Sequence, residues 1–373
     1  MMGEIPPSLR DSSEHRYLRQ AIEELEGTLL PGMVERPPEQ VAGRLLDWAQ
    51  LDAPHIRPAS IALALSALAG SPSARSQAVA IVEAIIDRGE QEAASSPLSG
   101  MRLAPRQTGL DEQIILFGLP HARLPTRIGR VMLEGLKRYF ATFHEPRPNQ
   151  RAIDVGSGSG VLAIVAAKQL RRHGGVERVW GVDINPWAVL LARANATLNG
   201  ESESTLFLEN DGLAALCQHP MEGSVDLIVS NPPMTAGLPG QSQTAEDRFN
   251  VIEHPVEFIK RELIETGARL LHRPTGHLLF HISGRFPEAL QNLSSIPGFG
   301  PKKAVLQGLT ELDPYVDLRG LVYQELIQDQ PFIFLKGYPV EIQRVTATEA
   351  HVLRKQGGRI YQQSYVWLYG FEP

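Results

Sequence analysis

The chain predicts an α/β fold, a mostly parallel sheet doubly wound with helices and closed by an antiparallel edge, behind an all-helical front segment. Three observations predict it. Residues 151–163, Arg-Ala-Ile-Asp-Val-Gly-Ser-Gly-Ser-Gly-Val-Leu-Ala, run a short apolar strand into a glycine-rich turn and at once into an alanine-rich helical pattern. Two further segments, Val179–Asp183 and Val225–Met234, follow at the spacing of the next strands in such a sheet. Ahead of them, from Ser12 to about residue 92, the apolar period is helical throughout.

In that front segment the apolar positions fall into four groups: Tyr17, Leu18, Ile22 and Leu25; Val41, Leu45, Leu46 and Trp48; Ile61 to Leu68; and Val79 to Ile86. Four or five short helices fit them. Prolines 37, 38, 54, 58 and 72 punctuate between the groups, and Pro31-Gly32 and Gly70-Ser71-Pro72 are turn pairs. Ala93 to Gly100, rich in Ala and Ser, reads as a linker. The expected domains are therefore a helical cap over residues 1–100 and the α/β domain over residues 101–373.

Behind the linker, Gln113 to Phe117 reads as a strand, Pro125 to Gly129 as a turn, and Val131 to Phe143 as an amphipathic helix that leads through Pro146 and Pro148 to the glycine loop. Strands are expected near 151–155, 178–182, 205–208, 225–229 and 277–283, with helices near 160–172, 186–198 and 256–271. This alternation means a parallel sheet covered on both faces. Phe332 to Leu335 and Tyr365 to Phe371 are expected as an antiparallel pair at its edge.

Composition narrows the function classes. With 373 residues and 43% hydrophobic content the chain has enough apolar side chains for two cores. No run approaches the roughly 20 apolar residues of a membrane span, and the first residues, with Glu4, Arg10, Asp11 and Glu14, lack the basic-then-apolar order of a signal peptide. A cytoplasmic protein without a membrane partner is expected. The single cysteine, Cys217, agrees with a reducing compartment and is expected as a small buried hydrophobe. Residues 1–100 carry 8 Arg and no Lys against 14 acidic residues, a net charge of −6, and the remaining residues balance at 28 against 28. An acidic front repels phosphate backbones, so a nucleic-acid partner is the less expected one. Lys168, Arg171 and Arg172, like Lys302 and Lys303, read as scattered surface charge.

The chemistry lies at the strand ends, because an open α/β sheet binds its ligand beyond the carboxyl tips of its strands. Gly156, Gly158 and Gly160 let a ligand approach the main chain where a helix begins. Asp183, closing Val-Trp-Gly-Val-Asp, is placed to accept from both hydroxyls of a ribose, which suits a nicotinamide dinucleotide and S-adenosylmethionine alike. Two features exclude the dinucleotide: the loop is Asp-x-Gly-x-Gly-x-Gly rather than Gly-x-Gly-x-x-Gly, and Asn231-Pro232-Pro233 follows the fourth strand. His277 and His281 share a strand face but have no further ligands at telling spacing, so no metal is expected. Met234 to Arg248, rich in Gly, Gln, Ser and Thr, reads as a mobile lid.

Asp154 to Gly160, Asp183, Asp211 and Ser230-Asn231-Pro232-Pro233-Met234 together resemble a class I S-adenosylmethionine-dependent methyltransferase with a Rossmann-like sheet. Within that class the chain resembles the small-methyltransferase-domain group that carries Asn-Pro-Pro-Tyr or Asn-Pro-Pro-Phe, which includes release-factor glutamine N5-methyltransferases and rRNA guanine N2-methyltransferases. The resemblance covers about residues 120–285. It implies S-adenosylmethionine as co-substrate, with Gly156 to Gly160 under its methionine part, Asp154 near its ammonium group, Asp183 on its ribose and Asp211 at its adenine amino group. It also implies that Asn231 and the Pro232 carbonyl hold the hydrogens of a substrate nitrogen. On the residues alone, an alternative for Asp154 is only to hold the loop, and for Asp211 to close a polar turn. Met234 departs from the group: a flexible thioether replaces the aromatic ring that would pack on a planar amide or base.

The expected activity is methyl transfer to a nitrogen of a small molecule or a protein side chain. Three alternatives stay open: ring closure or aminocarboxypropyl transfer with release of methylthioadenosine, base methylation of rRNA or tRNA, and cofactor binding without turnover.

Overall fold

The structure is a computed structural model that describes residues 72–89, 99–118, 124–214, 216–218, 221–232, 255–283, 296–312, 318–319, 322, 334–336 and 343–372. The first 71 residues, with most of the expected cap, and the expected lid lie outside the described residues. So do Asp313 to Tyr315. The chain divides into two compact units: Met1–Leu124, Ser157–Arg172 and Val176–Asn210 make one, and Pro125–Gly156, His173–Gly175 and Asp211–Pro373 the other.

The first unit holds helix α1 (Pro72–Gly89), a hairpin of β1 (Ser99–Leu103) and β2 (Ile114–Gly118) with the short helix α2 (Pro105–Thr108) between them, helix α4 (Val161–Arg172), strand β4 (Val176–Asp183), helix α5 (Pro186–Leu198) and strand β5 (Thr205–Glu209). Strands β4 and β5 pair in parallel, Val179 opposite Thr205 through Asp183 opposite Glu209. Helix α4 is buried along Val161 to Leu170, as its Ala/Val/Ile/Leu run requires. Lys168 corrects the surface-charge expectation, whereas Arg171 and Arg172 are exposed as expected. Lys168 is 8% exposed and donates to Glu112 at 2.5 Å, Arg171 forks onto the buried Glu201 at 2.5 and 2.7 Å, and Arg172 pairs with Asp111. They tie α4 to its neighbours within this unit.

The second unit holds helix α3 (Arg127–Thr142), strand β3 (Gln150–Val155), β6 (Leu227–Ser230), a helix α6 in three parts (Pro255–Phe258, the π-helical Ile259–Thr266 and Gly267–Leu270), β7 (His277–Ser283), β8 (Phe299–Glu311), β9 (Phe334–Lys336), β10 (Gln343–Val345), helix α7 (Ala347–Lys355) and β11 (Ile360–Phe371). Its strands run in the order β10-β9-β11-β7-β6-β3. Strands β3, β6 and β7 are parallel, whereas β11 is antiparallel to β7, β8 and β9. The chain thus has the Rossmann-like, mostly parallel α/β fold with an antiparallel edge.

Several expected boundaries shift. Pro125 to Gly129 is the entry of α3 rather than a turn, because the Thr126 side chain accepts the Gly129 N–H at 3.1 Å and caps the helix, a bond worth about 1 kcal/mol. Pro72 opens α1, where its missing N–H is harmless. Ser99 and Gly100 belong to β1 and not to a linker. Tyr365 to Phe371 is no edge: that stretch lies between β7 and β8, and β11 meets β9 only through Ile360 to Gln362. The long partner β8 went unseen because one of its faces is exposed and Gly300, Pro301 and Gly308 interrupt its pattern. Cys217 is half-buried rather than buried. Tyr369 and Leu368 lie in the core, as expected for default packing.

Candidate functional site

In the first unit the glycine turn and the tip of β4 are bonded to each other. Gly156, where the turn begins at the end of β3, and Gly158 and Gly160 have φ of +71°, +51° and +79°, a region that costs a residue bearing a Cβ roughly 1–2 kcal/mol. A Cβ at Gly156 or Gly158 would meet nothing within 4 Å, so the main chain there faces open space. Gly160 differs. A Cβ on it would lie 2.9 Å from Ala192 Cβ and 3.1 Å from Phe207 Cζ, so packing of α4 forbids one. The Ser157 N–H donates to Val182 O at 3.0 Å and the Gly160 N–H to Ser157 O at 2.8 Å, which closes the turn just before α4.

Asp183 ends β4. Its Oδ2 accepts the Gly158 N–H at 2.7 Å and its Oδ1 the Asn185 N–H at 2.9 Å. Burial pushes its carboxyl pKa up, and the two N–H donors pull it back. Each oxygen keeps a further acceptor site, so the carboxylate braces the turn and still offers lone pairs at the strand tip. Next to it Ile184 is 41% exposed, an apolar side chain open where most of the chain's large apolar residues are buried. The sequence reading passed over Ile184, since one isoleucine after a strand carries no pattern.

In the second unit Asp154 is wholly buried on β3, opposite Val229 of β6. The two strands end side by side, and Ser230 Oγ donates to Val155 O at 2.9 Å. Asn231 comes next. Its Oδ1 is buried and accepts no hydrogen bond from any described residue, a loss that costs about 1–3 kcal/mol if nothing else fills it. Pro232 is buried beside it, and Met234 lies outside the described residues. Asp211 is exposed just beyond β5, and Gly212 after it has φ +80°. The Leu213 N–H donates to Glu262 Oε2 at 3.1 Å, so a buried carboxylate on the π-helical part of α6 pins the segment that carries Asp211. Glu262 also escaped the sequence reading, because a glutamate in an amphipathic helix looks like a solvated one.

His281 is buried on β7, and His277 Nδ1 lies 3.2 Å from Tyr139 Oη, with burial lowering the His277 pKa. Both are strand residues. Among the described residues no group of three or more His, Cys, Asp or Glu side chains is arranged to hold a metal, and no helix is long and apolar enough to cross a membrane.

Within the first unit, bare main chain at Gly158 lies beside a carboxylate and an apolar side chain at the tip of β4, a set that suits a ribonucleoside; within the second, an amide oxygen stands open after β6. Residues 134–275 match the family described as the methyltransferase small domain. A release factor glutamine methyltransferase of Moorella thermoacetica is 29% identical over 294 residues, which is 78% of this chain and 93% of that protein. A protein of the same name from Chlorobaculum tepidum is 32% identical over 168 residues, 44% of this chain and 55% of that one. A ribosomal protein L11 methyltransferase of Carboxydothermus hydrogenoformans is 35% identical over 101 residues, 27% of this chain and 28% of its own. Similarity to the L11 enzyme is therefore confined to about a quarter of either chain, and the Chlorobaculum protein is spanned over about half its length. The chain is an S-adenosylmethionine-dependent methyltransferase.

Proposed function

We propose that the chain methylates the carboxamide nitrogen of a glutamine side chain in a protein substrate. The observation that carries this reading is the buried, unoccupied acceptor Oδ1 of Asn231. An acceptor kept dry and unpaired suits a substrate that brings N–H hydrogens, and the similarity to proteins named release factor glutamine methyltransferase favours a carboxamide. Asn231 Oδ1 and the Pro232 carbonyl take one amide hydrogen each. That turns the nitrogen lone pair, otherwise delocalised into the amide, toward the methyl group, and fixing such a geometry supplies much of the acceleration. S-adenosylmethionine brings a methyl group already activated by its sulfonium. As the N–C bond forms the sulfur–methyl bond would break, S-adenosylhomocysteine would leave, and the nitrogen would give up one hydrogen as a proton to water.

In this reading Gly156, Gly158 and Gly160 underlie the methionine part, Asp154 steadies the turn or the ammonium group, Asp183 takes the ribose, and Ile184 with Asp211 receives the adenine. Glu262 keeps Asp211 in place. Recognition of the protein substrate falls to the front segment, residues 1–100. The reaction belongs to the cytoplasm, where translation factors are found.

The test is to incubate the full chain with S-adenosylmethionine and a cell extract, then identify both products by mass spectrometry. S-adenosylhomocysteine together with a glutamine carrying one added methyl group is the expected result. Methylthioadenosine, or methyl groups found on nucleic acid alone, would overturn it.

A further inference from the structure

Strand β2 pairs with β1 through one edge only, Leu103 opposite Ile114 through Ser99 opposite Gly118. Its other edge would leave the N–H and C=O of Ile115 and Phe117 bare, but two asparagines of α5 fill it. Asn199 accepts the Ile115 N–H at 3.0 Å and donates to Ile115 O at 2.7 Å. Asn195 accepts the Phe117 N–H at 2.8 Å and donates to Phe117 O at 3.0 Å. The spacing makes this possible: four helical residues advance about 6 Å and two strand residues about 7 Å, so side chains at i and i+4 meet alternate backbone units of an extended strand. A helix here stands in for a missing strand.

Asn195 does one thing that Asn199 does not. Its second amide hydrogen goes to Ser159 O at 3.0 Å, inside the glycine turn, and the whole side chain is fully buried. One carboxamide therefore ties the turn, through Ser159, to β2. The hairpin is tied in turn to α1, the last helix of the front segment: Gly100 of β1 lies against Ile86, where a Cβ would come within 2.3 Å of its Cγ1, and Arg75 Nε of α1 donates to Leu198 O at the end of α5 at 3.1 Å. Gln169 and Arg172 of α4 add bonds to the carbonyls of Thr108 and Gly109 just before β2, at 3.0 and 2.8 Å.

We propose that Asn195 is a positioning residue that sets the glycine turn from the hairpin side, so that docking of the hairpin and the grip on the cofactor are one cooperative event. The inference rests on the cofactor reading of the turn. Ser159 lies between Gly158 and Gly160, which have the widest intrinsic choice of backbone angles, and the bond to the intervening carbonyl joins those from Gly158 to Asp183 and from Gly160 to Ser157 in removing that freedom. By linkage the effect runs both ways: whatever tightens the hairpin raises cofactor affinity, and bound cofactor tightens the hairpin.

Asn195→Ala and Asn199→Ala form the matched pair, both tested in the full chain by calorimetric titration with S-adenosylhomocysteine and by amide hydrogen exchange. Both should lose protection at the hairpin amides. Only Asn195→Ala should also weaken S-adenosylhomocysteine, by about tenfold, the size of one lost internal hydrogen bond, while Asn199→Ala stays within about threefold. Asn195→Asp, which keeps the acceptor but loses both donated bonds, should behave like Asn195→Ala in binding. A measurement on the unaltered chain stands beside these in case the variants do not fold: S-adenosylhomocysteine should slow exchange of the Ile115 and Phe117 amides. Equal weakening by the two alanine variants, unchanged binding by Asn195→Ala, or hairpin exchange indifferent to ligand would overturn the inference while leaving the cofactor site standing. An unaltered chain that takes up no S-adenosylhomocysteine would instead remove the cofactor reading, and the inference with it.

Discussion

The tip of β4 and the tip of β6 follow opposite strategies. At the first, the strand-tip carboxylate and the main chain of the glycine turn are tied together: Asp183 takes two N–H donors, the Ser157 and Gly160 N–H groups close the turn, and Asn195 holds Ser159 from behind. At the second, Ser230 is satisfied but Asn231 keeps a buried acceptor open. A site that binds a ligand gains from being assembled beforehand, since less entropy is lost on binding. A site that speeds a reaction gains from an unmet interaction that the reacting group alone can meet. In the proposed reading the first tip serves binding and the second turnover.

The largest expected effect separates the two. Asn231→Ala should lower kcat by about a hundredfold or more and leave S-adenosylhomocysteine binding within about threefold, as steady-state kinetics and titration will read out. Since it removes an orphaned buried acceptor, it should also cost no stability. Asp183→Ala should do the reverse, weakening the ligand by about two orders of magnitude. It should also lower the melting temperature, because the Gly158 and Asn185 N–H groups lose their acceptor at roughly 1–3 kcal/mol each. If Asn231→Ala abolished binding and spared turnover, the division of labour would be reversed.

Two glycines sharpen the picture within the turn itself. Gly160→Ala should prevent or strongly destabilise folding, because the added methyl group meets Ala192 and Phe207. Gly158→Ala meets no neighbour and bears only the strain of positive φ, so the protein should fold with a melting temperature a few degrees lower and lose affinity for S-adenosylhomocysteine.

The smallest effect concerns neither tip. His144 packs against Phe140 and His173, with ring centroids 4.8 and 5.6 Å apart, and burial first, then the neighbouring His173, lowers its pKa to about 4. Unfolded, it titrates near 6.5, so above that pH both states are neutral and the residue adds no pH dependence. As pH falls from 6.5 toward 4 the unfolded chain binds the proton first, and stability drops. His144→Phe should flatten the melting temperature over that window by a few degrees, while leaving the value at pH 8 little changed.

Legibility followed the physics of each signal. The strands at 150–155, 176–183, 205–209, 227–230 and 277–283 were readable because parallel strands buried on both faces need near-continuous apolar runs. The glycine turn and Asn231-Pro232 were readable because backbone angles and close approach demand those residue types. Strand β8 was not, since an exposed face admits Pro, Gly and Lys without penalty. Lys168 was misread as surface charge because only a partner 56 residues away, Glu112, accounts for its burial. Asn195, Glu262 and Ile184 give no local signal at all.

By itself the amino-acid order determined the class of fold, the glycine turn and the Asn-Pro that ends β6, because apolar period, glycine and proline act on the chain where they stand. Tertiary structure alone decided which side chains hold that turn in shape, which charges are buried in pairs, and which acceptor is left unmet. Those properties belong to groups far apart in sequence, and a hydrogen bond has no periodicity that could announce it in advance.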